Sequence, residues 1–520
     1  MIEFDLSEQE FIKLAKSVKE PSFIQLMAKI KSNEQPLTLY KSFNSSYSYL
    51  LESVEKEKRK ARFSFVGENS DGVMSIKDRV LTIELLNKSN YLDFIYSKIK
   101  SKCDCTINEN IIKINIKDMD VLDSIRFVFI NAPILNQKRQ DKPLFNGGLI
   151  GYIGYDIVYD CWIDVAKKHA SDIPDIQFMI ITKTFVFDHF TEDAFIVITP
   201  FIDVDRNYEL EDIYRNALND AEKMQKFIGC NNNNNNNNEN EITFTNVDNR
   251  ITDTNQKNYE YSVNIAKKHI IDGDIFQVVP SRKYEIVTKE SPFELYLKLR
   301  KVNPSPYMYL FKFGDLSIVG ASPETLMSIY ENKIIINPIA GTCPRGIDEK
   351  EDEAYAKQLL EDEKERAEHV MLVDLGRNDV RMVSKSGTVI VDEFMKVVKY
   401  SHLQHIESTV SGIMRDDCDI FDATRATFPA GTLSGAPKIR AMEIINNLEN
   451  SARGVYGGGV GYYSWNNDSD FAIVIRTMVI KDGIITIRAG AGIVADSNPT
   501  KEYEETERKM AAMIKAIGGK

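Results

Sequence analysis

The chain has 520 residues, 43% of them apolar and 27% charged, and a net charge of −12. That length exceeds one simple core, and the balance is that of a folded globular protein rather than a disordered or fibrous one. The acidic excess argues against a nucleic-acid binder, which would present a basic face, and no apolar run is long enough to span a bilayer.

The N-terminus, MIEFDLSEQEF, has no basic stretch followed by an apolar run, so neither a signal nor a transit peptide is expected. The six cysteines (Cys103, Cys105, Cys161, Cys230, Cys343, Cys418) form no CxxC pair, as expected of free thiols in a reducing, cytoplasmic setting. Phe11, Leu14 and Val18, then Phe23, Leu26, Met27 and Ile30, keep helical spacing and predict helices through residues 1–30. From 37 to 66 short β-type runs alternate with turns and include LLESVE (50–55). VLTIEL (80–85), IIKINI (111–116) and AFIVITP (194–200) read as strands rich in β-branched residues. GGLIGYIGYD (147–156) is a strand in which glycine signals close backbone approach or a bulge.

The tract NNNNNNNNENE (231–241) cannot bury apolar surface against its entropy cost and is expected to be a disordered linker. It separates an N-terminal region, 1–230, from a region spanning 252–520. In the latter, strands (YMYLFKFG, SIVGAS, KIIINPIA, FAIVIRTMVI, GIITIRAG) alternate with helices predicted at 355–375, 436–449 and 500–517.

Two pairs of features stand out there. PIAGTCPRG (338–346) precedes a helix carrying Glu365 and Glu368, and GAG (490–492) precedes one carrying Glu502 and Glu505. Residues three apart share a helix face, so each pair is either a solvated face or a set of hard oxygens for a divalent cation. The glycines let backbone N–H groups approach an anion, and the Thr342 hydroxyl adds a donor; each turn taken singly is also ordinary loop chemistry. AGTLSGAPK (430–438) is a third such turn, leading Lys438 into a helix N-terminus able to hold an anion. Arg476, amid apolar strand residues, needs a partner, either a ligand carboxylate or a structural Asp or Glu. Glu324, after a strand and a proline, would have its pKa raised by desolvation and could act as a general acid. His405 is either structural or an acid–base group.

GDIFQVVPSRK (273–283), NPSPYMYLF (303–311), ASPE (321–324), PIAGTCPRG, RAEHVMLVDLGRND (366–379), AGTLSGAPK, YGGGVGYY (456–463), IRT (475–477), GAGIVADSNP (490–499) and EYEET (502–506) follow in one order. In that order they resemble the chorismate-utilising enzymes, and among these the anthranilate synthase component I group. The resemblance is dense over about 250–517 and thinner before it. It implies an α+β fold of two packed antiparallel β-sheets flanked by helices, with the site in the cleft between the sheets. It also implies an Mg-dependent lyase in which chorismate and ammonia give anthranilate and pyruvate, the first step of tryptophan biosynthesis.

The resemblance assigns Gly341, Thr342, Tyr456, Arg476, Gly490, Ala491 and Gly492 to substrate, and Glu368 and Glu505, supported by Glu365 and Glu502, to Mg2+. Glu324 is the candidate acid for the departing hydroxyl, and His405 the candidate for leaving-group assistance or later proton removal. Region 252–520 becomes the chorismate-binding catalytic domain, and 1–230 holds a tryptophan-binding segment, with Ser53, Pro306, Tyr307 and Met308 as the effector site. No glutaminase nucleophile motif is present, so a glutamine amidotransferase subunit (component II) is implied as the ammonia source. Isochorismate-forming relatives carry a lysine where this chain has Gln277. Aminodeoxychorismate synthases often carry PIKGT, whose lysine can attack the ring, where this chain has Ala340. An aminodeoxychorismate synthase component I and a non-catalytic regulatory paralogue are the alternatives. Two departures from the family pattern are Cys343, where an arginine is usual and Arg345 would substitute, and Glu407, expected to share a face with His405 and raise its pKa.

Overall fold

Segments rich in β-branched and aromatic residues pair side by side into two large antiparallel sheets in the computed structural model. It describes residues 2–30, 35–54, 62–102, 105–117, 119–137, 143–206, 209–228, 250–399 and 403–518. The Asn tract at 231–241, Cys103 and Cys230 lie outside the described residues. One sheet runs in order from Ile339–Pro344 through Leu403–Ile413 and Gly459–Ser464 to Cys105–Asn108; the other runs from Arg250–Thr252 through Leu316–Ser322 to Leu26–Ile30. Each sheet joins a block of strands from before the tract to a block from after it at one seam. Gly148–Ile153 pairs with Gly459–Ser464, and Tyr47–Glu52 pairs with Tyr307–Phe313.

Period-two alternation decides which residues fill the space between the sheets. Tyr49, Phe65, Phe145, Tyr152, Phe311 and Tyr462 pack there. Helices Asn90–Lys102, Glu363–Val383 and Ile420–Thr427 cover the outer face of the first sheet. Glu8–Lys16, Leu210–Gln225, Pro292–Val302 and Pro499–Ile517 cover that of the second. The architecture is the expected α+β pair of antiparallel sheets flanked by helices. No helix among the described residues is long and apolar enough to cross a membrane.

Gly148 shows why glycine occurs in the GGLIGYIGYD strand: a Cβ there would lie 1.9 Å from the Tyr463 carbonyl oxygen. Residues 1–30 depart from expectation. A capping box at Ser7 and Glu10 starts helix Glu8–Lys16, but Ser22–Ile24 and Leu26–Ile30 are strands. Leu26, Ala28 and Ile30 face the outer helices while Met27 faces the inter-sheet core, so both faces are buried. A strand apolar on both faces has no period-two signature, and its residues fit helical spacing by coincidence. The helix predicted at 355–375 is two, Glu349–Glu361 and Glu363–Val383. Asp362 ends the first, and its carboxylate accepts from the N–H groups of Lys364 and Glu365 to start the second.

Trp465 anchors the outer core of the first sheet, stacked on Phe23 at 4.5 Å and Phe129 at 5.1 Å, and its Nε1–H donates to the Ile181 carbonyl at 3.1 Å. Trp465→Ala should destabilise the fold by about 3–5 kcal/mol. Trp465→Phe should cost less, about 1–3 kcal/mol, chiefly the orphaned carbonyl. Urea unfolding of the two variants measures both; a Trp465→Phe variant as stable as wild type would show that the indole N–H contributes nothing, and equal losses in the two would show that the ring stacking contributes nothing.

Candidate active site

The two glycine turns and the two glutamate helices meet. The Asp362 cap places Glu365 in the first turn of Glu363–Val383, with Glu368 three residues on. Gly341, with φ +67°, sits at a bulge inside strand Ile339–Pro344, where a Cβ would lie 3.1 Å from Glu365 Oε2. On the other side, strand Ile484–Gly490 feeds Gly492, where a Cβ would lie 2.5 Å from Gln277 Nε2 and 3.8 Å from Glu368 Oε1. Asn498 caps helix Pro499–Ile517, which carries Glu502 and Glu505. Lys509, one turn further, joins Glu505 at 2.7 Å to the Gly490 carbonyl at 2.9 Å.

Burial holds Glu365, Glu368 and Glu502 above the usual carboxylate range, and the negative charge of neighbouring glutamates adds to each rise. Glu505 is half-buried, yet Lys509 draws it below that range, so it keeps its charge and pushes on the others. Gln277 donates to Glu368 Oε1 at 3.3 Å, and its own Oε1 is buried with no partner. Among the described residues no three acidic, histidine or cysteine side chains already close on one point. The donor set fits a hard divalent cation. Carboxylates repelling one another across two helices, beside an orphaned amide oxygen, are what such an ion would relieve and complete.

Beside this cluster Glu324 is buried, and burial raises its pKa to about 7. Thr432 donates to its Oε1 at 2.9 Å and opposes that rise. Arg476 is not an interior strand residue: it lies at a break between Ser469–Ile473 and Thr477–Lys481, with left-handed φ of +52°. Its half-buried guanidinium makes no hydrogen bond or ion pair with the described residues. Burial lowers its pKa, and nearby Tyr456, Glu324 and Glu505 oppose that fall. Neither of these carboxylates ion-pairs with it, so no structural Asp or Glu takes that role. Tyr456 is buried, and its hydroxyl lies 3.2 Å from where a Gly490 Cβ would be.

His405 Nδ1 lies 3.0 Å from the Gly341 carbonyl and 2.9 Å from the Thr342 hydroxyl. A carbonyl only accepts, so Nδ1 carries the proton and Nε2 the lone pair. Burial lowers the pKa of His405 to about 4, and Glu407 does not raise it, contrary to expectation. Glu407 is instead turned to Asn337 and to a separate cavity. Arg345 is taken by Asp352 through two 2.8 Å contacts, so it does not supply the cationic contact that Cys343 lacks. Lys438 does not stand ready for an anion either: it pairs with buried Asp379 at 2.8 Å.

Sequence reasoning missed Thr432 as the partner of Glu324, because that contact spans 108 residues and has no local signal. It also missed Lys509, although the i, i+4 spacing from Glu505 is legible in a helix. Ser53, Pro306, Tyr307 and Met308 all line one cavity of about 620 Å³, apart from the glutamates. The pairing of Met308 with Glu52 across adjacent strands brings the two segments together.

Residues 85–515 match the family described as chorismate binding enzyme. The chain is 43% identical to anthranilate synthase component 1 of Haloferax volcanii over 99% of its length and 97% of the relative's. It is 37% identical to the Pseudomonas putida protein of that name over 98% of each. The crystal structure of anthranilate synthase component I from Streptococcus pneumoniae superposes with a TM-score of 0.71 at 33% identity, covering 93% of this chain and 98% of the other.

A carboxyl raised by folding binds its proton more tightly in the folded state, so its contribution to stability is complete below the unfolded pKa of 4.5 and is lost as pH rises through about 7. Wild type should therefore lose stability between about pH 5 and about pH 8 relative to Glu324→Gln, as read by denaturant unfolding. Thr432→Val should move the Glu324 midpoint upward in a carboxyl NMR titration; a downward shift would contradict the hydrogen bond.

Proposed function

The chain belongs to the chorismate-binding enzyme family, and from that we propose that it is a lyase converting chorismate and ammonia to anthranilate and pyruvate. The observation that carries this reading is Arg476. A half-buried guanidinium with no ion pair among the described residues, beside glycine turns and a cluster of carboxylates, calls for an anionic ligand. Chorismate carries two carboxylates. Arg476 and the backbone of Gly490–Gly492 take one of them, while Gly341 and Thr342 border the other side of the ring. Tyr456 closes the site against water. The full-length relatives named anthranilate synthase component 1 and the side chain of Ala340, which offers no amine, favour anthranilate over aminodeoxychorismate.

Glu368 and Glu505, supported by Glu365 and Glu502, would hold Mg2+, which when bound supplies positive charge to the ring carboxylate. Glu324, still partly protonated near neutral pH, gives its proton to the C4 hydroxyl, which leaves as water while ammonia adds at C2. His405 is neutral, with its lone pair on Nε2 fixed by the Gly341 carbonyl. It removes the C2 proton as the ring aromatises and the ether C–O bond breaks; the enolpyruvate then takes up a proton to become pyruvate. The name component 1 and the absence of a glutaminase motif support an amidotransferase subunit as the ammonia source.

The cavity bordered by Ser53, Pro306, Tyr307 and Met308 suits tryptophan as a feedback inhibitor. Carboxylates (Glu52, Glu407, Asp470) and cations (Arg62, Lys396) line it, the complement of a zwitterion, and Met308 and Phe65 offer apolar surface to an indole.

With chorismate, Mg2+ and ammonium, wild type should form fluorescent anthranilate. Glu368→Gln and Glu505→Gln should each lose about a thousandfold or more in turnover while keeping the wild-type circular dichroism spectrum. Near-normal rates in both would remove the metal assignment, and aminodeoxychorismate as the product would remove the choice of reaction. Ser53→Phe should abolish tryptophan inhibition and leave the uninhibited rate nearly intact; loss of both together would make Ser53 structural.

A further inference from the structure

Strand Leu403–Ile413 separates two compartments. Glu407 and Thr409, on one face, line the 620 Å³ cavity. Ser408, between them, points the other way and is fully buried against helix Glu363–Val383, where its Oγ meets His369 Nε2 at 2.6 Å. His369 follows Glu368 directly and is itself fully buried, with Nδ1 unpartnered. The pairing of strand Ile390–Lys399 with Leu403–Ile413 jumps between Glu393 and Lys396, leaving a bulge opposite Ser408. At that bulge Met395 adopts φ +53°, a conformation rare for a non-glycine residue, and its N–H donates to the same Ser408 Oγ at 2.9 Å. The residues flanking the bulge, Glu393 and Lys396 to Val398, are themselves cavity wall.

One hydroxyl thus serves two masters: the strained wall of the cavity and the helix that presents Glu365 and Glu368. We propose that Ser408 is a positioning residue joining them, so that occupancy of the cavity changes how the helix presents its carboxylates. The step rests on the functional reading given above and extends it from which ligand to which route. The physical warrant is accounting. A hydroxyl has one proton and two lone pairs, and if the wall shifts and withdraws the Met395 N–H, the His369 contact must readjust in a place without water. His369 is fully buried and its Nδ1 has no partner among the described residues, so the ring has no second contact to fall back on.

The test uses the full chain and two readouts. Without any ligand, hydrogen–deuterium exchange should rise in Ser408→Ala in both strand Ile390–Lys399 and helix Glu363–Val383, and stay at wild-type levels in Ser408→Thr, which keeps the hydroxyl. With ligands, titration calorimetry of Mg2+ in the presence and absence of tryptophan should show about tenfold coupling in wild type. In Ser408→Ala tryptophan should bind within about twofold of wild type while the coupling collapses. His369→Leu, which cuts the junction from the helix side, should behave as Ser408→Ala, and it decides the matter if Ser408→Ala does not fold. Exchange that rises in only one of the two elements, or coupling unchanged in Ser408→Ala, overturns the proposal. A wild type that ignores tryptophan overturns the effector reading instead, and the ligand-free exchange still decides the junction.

Discussion

A guanidinium buried at the centre of the molecule holds the pieces of the site to one another. Arg453 bonds Glu449 at 2.6 Å, donates to the carbonyls of Leu433 and Val279, and lies over the rings of Tyr155 and Tyr456. Each contact reaches a different element: the turn carrying Thr432, the strand region before Ser281, a tyrosine from the N-terminal half, and the tyrosine beside Gly490. Glu449 in turn accepts from Ser281 and pairs with Arg488 at 3.4 Å. A buried ion pair is weak evidence of net stability, since desolvation offsets attraction, but removing one partner costs about 3–5 kcal/mol. Its directional bonds fix where the surrounding turns sit in a way that apolar contacts of equal size would not.

The chemistry follows from low polarity applied to different group types. Burial raises Glu324 to about 7 and lowers His405 to about 4, so an acid that still has its proton and a base that has lost its own share one cleft near neutral pH. In the same cleft Arg476 has no ion pair among the described residues, and the glutamates repel one another. Both are unfavourable in isolation, and both are relieved by ligands of opposite charge. Strain that persists at such a place is retained for binding, because elsewhere it would only subtract from stability.

One strand borders both the cavity and the cleft. Strand Leu403–Ile413 carries His405, borders the cavity with Glu407 and Thr409, and meets the glutamate helix through Ser408. The strands that bring Ser53 beside Met308 come from opposite sides of the Asn tract.

The sequence by itself determined the strands with β-branched runs, the pairing of glycine turns with Glu-x-x-Glu helices, and the family, because each rests on local spacing or on motif order. It misplaced Phe23–Ile30 because a strand buried on both faces loses the alternation that identifies it. It also read upward the pKa of His405, since a neighbour in sequence is visible and burial is not. Only the tertiary structure decided that Thr432 serves Glu324, that Arg345 belongs to Asp352, that Arg476 stands at a strand break without an ion pair among the described residues, and that Ser408 meets both His369 and Met395. Apart from Arg345 and Asp352, which are seven residues apart, those contacts span 13 to 108 residues. Their energies depend on distance and local polarity, which chain order does not encode until the sheets have closed.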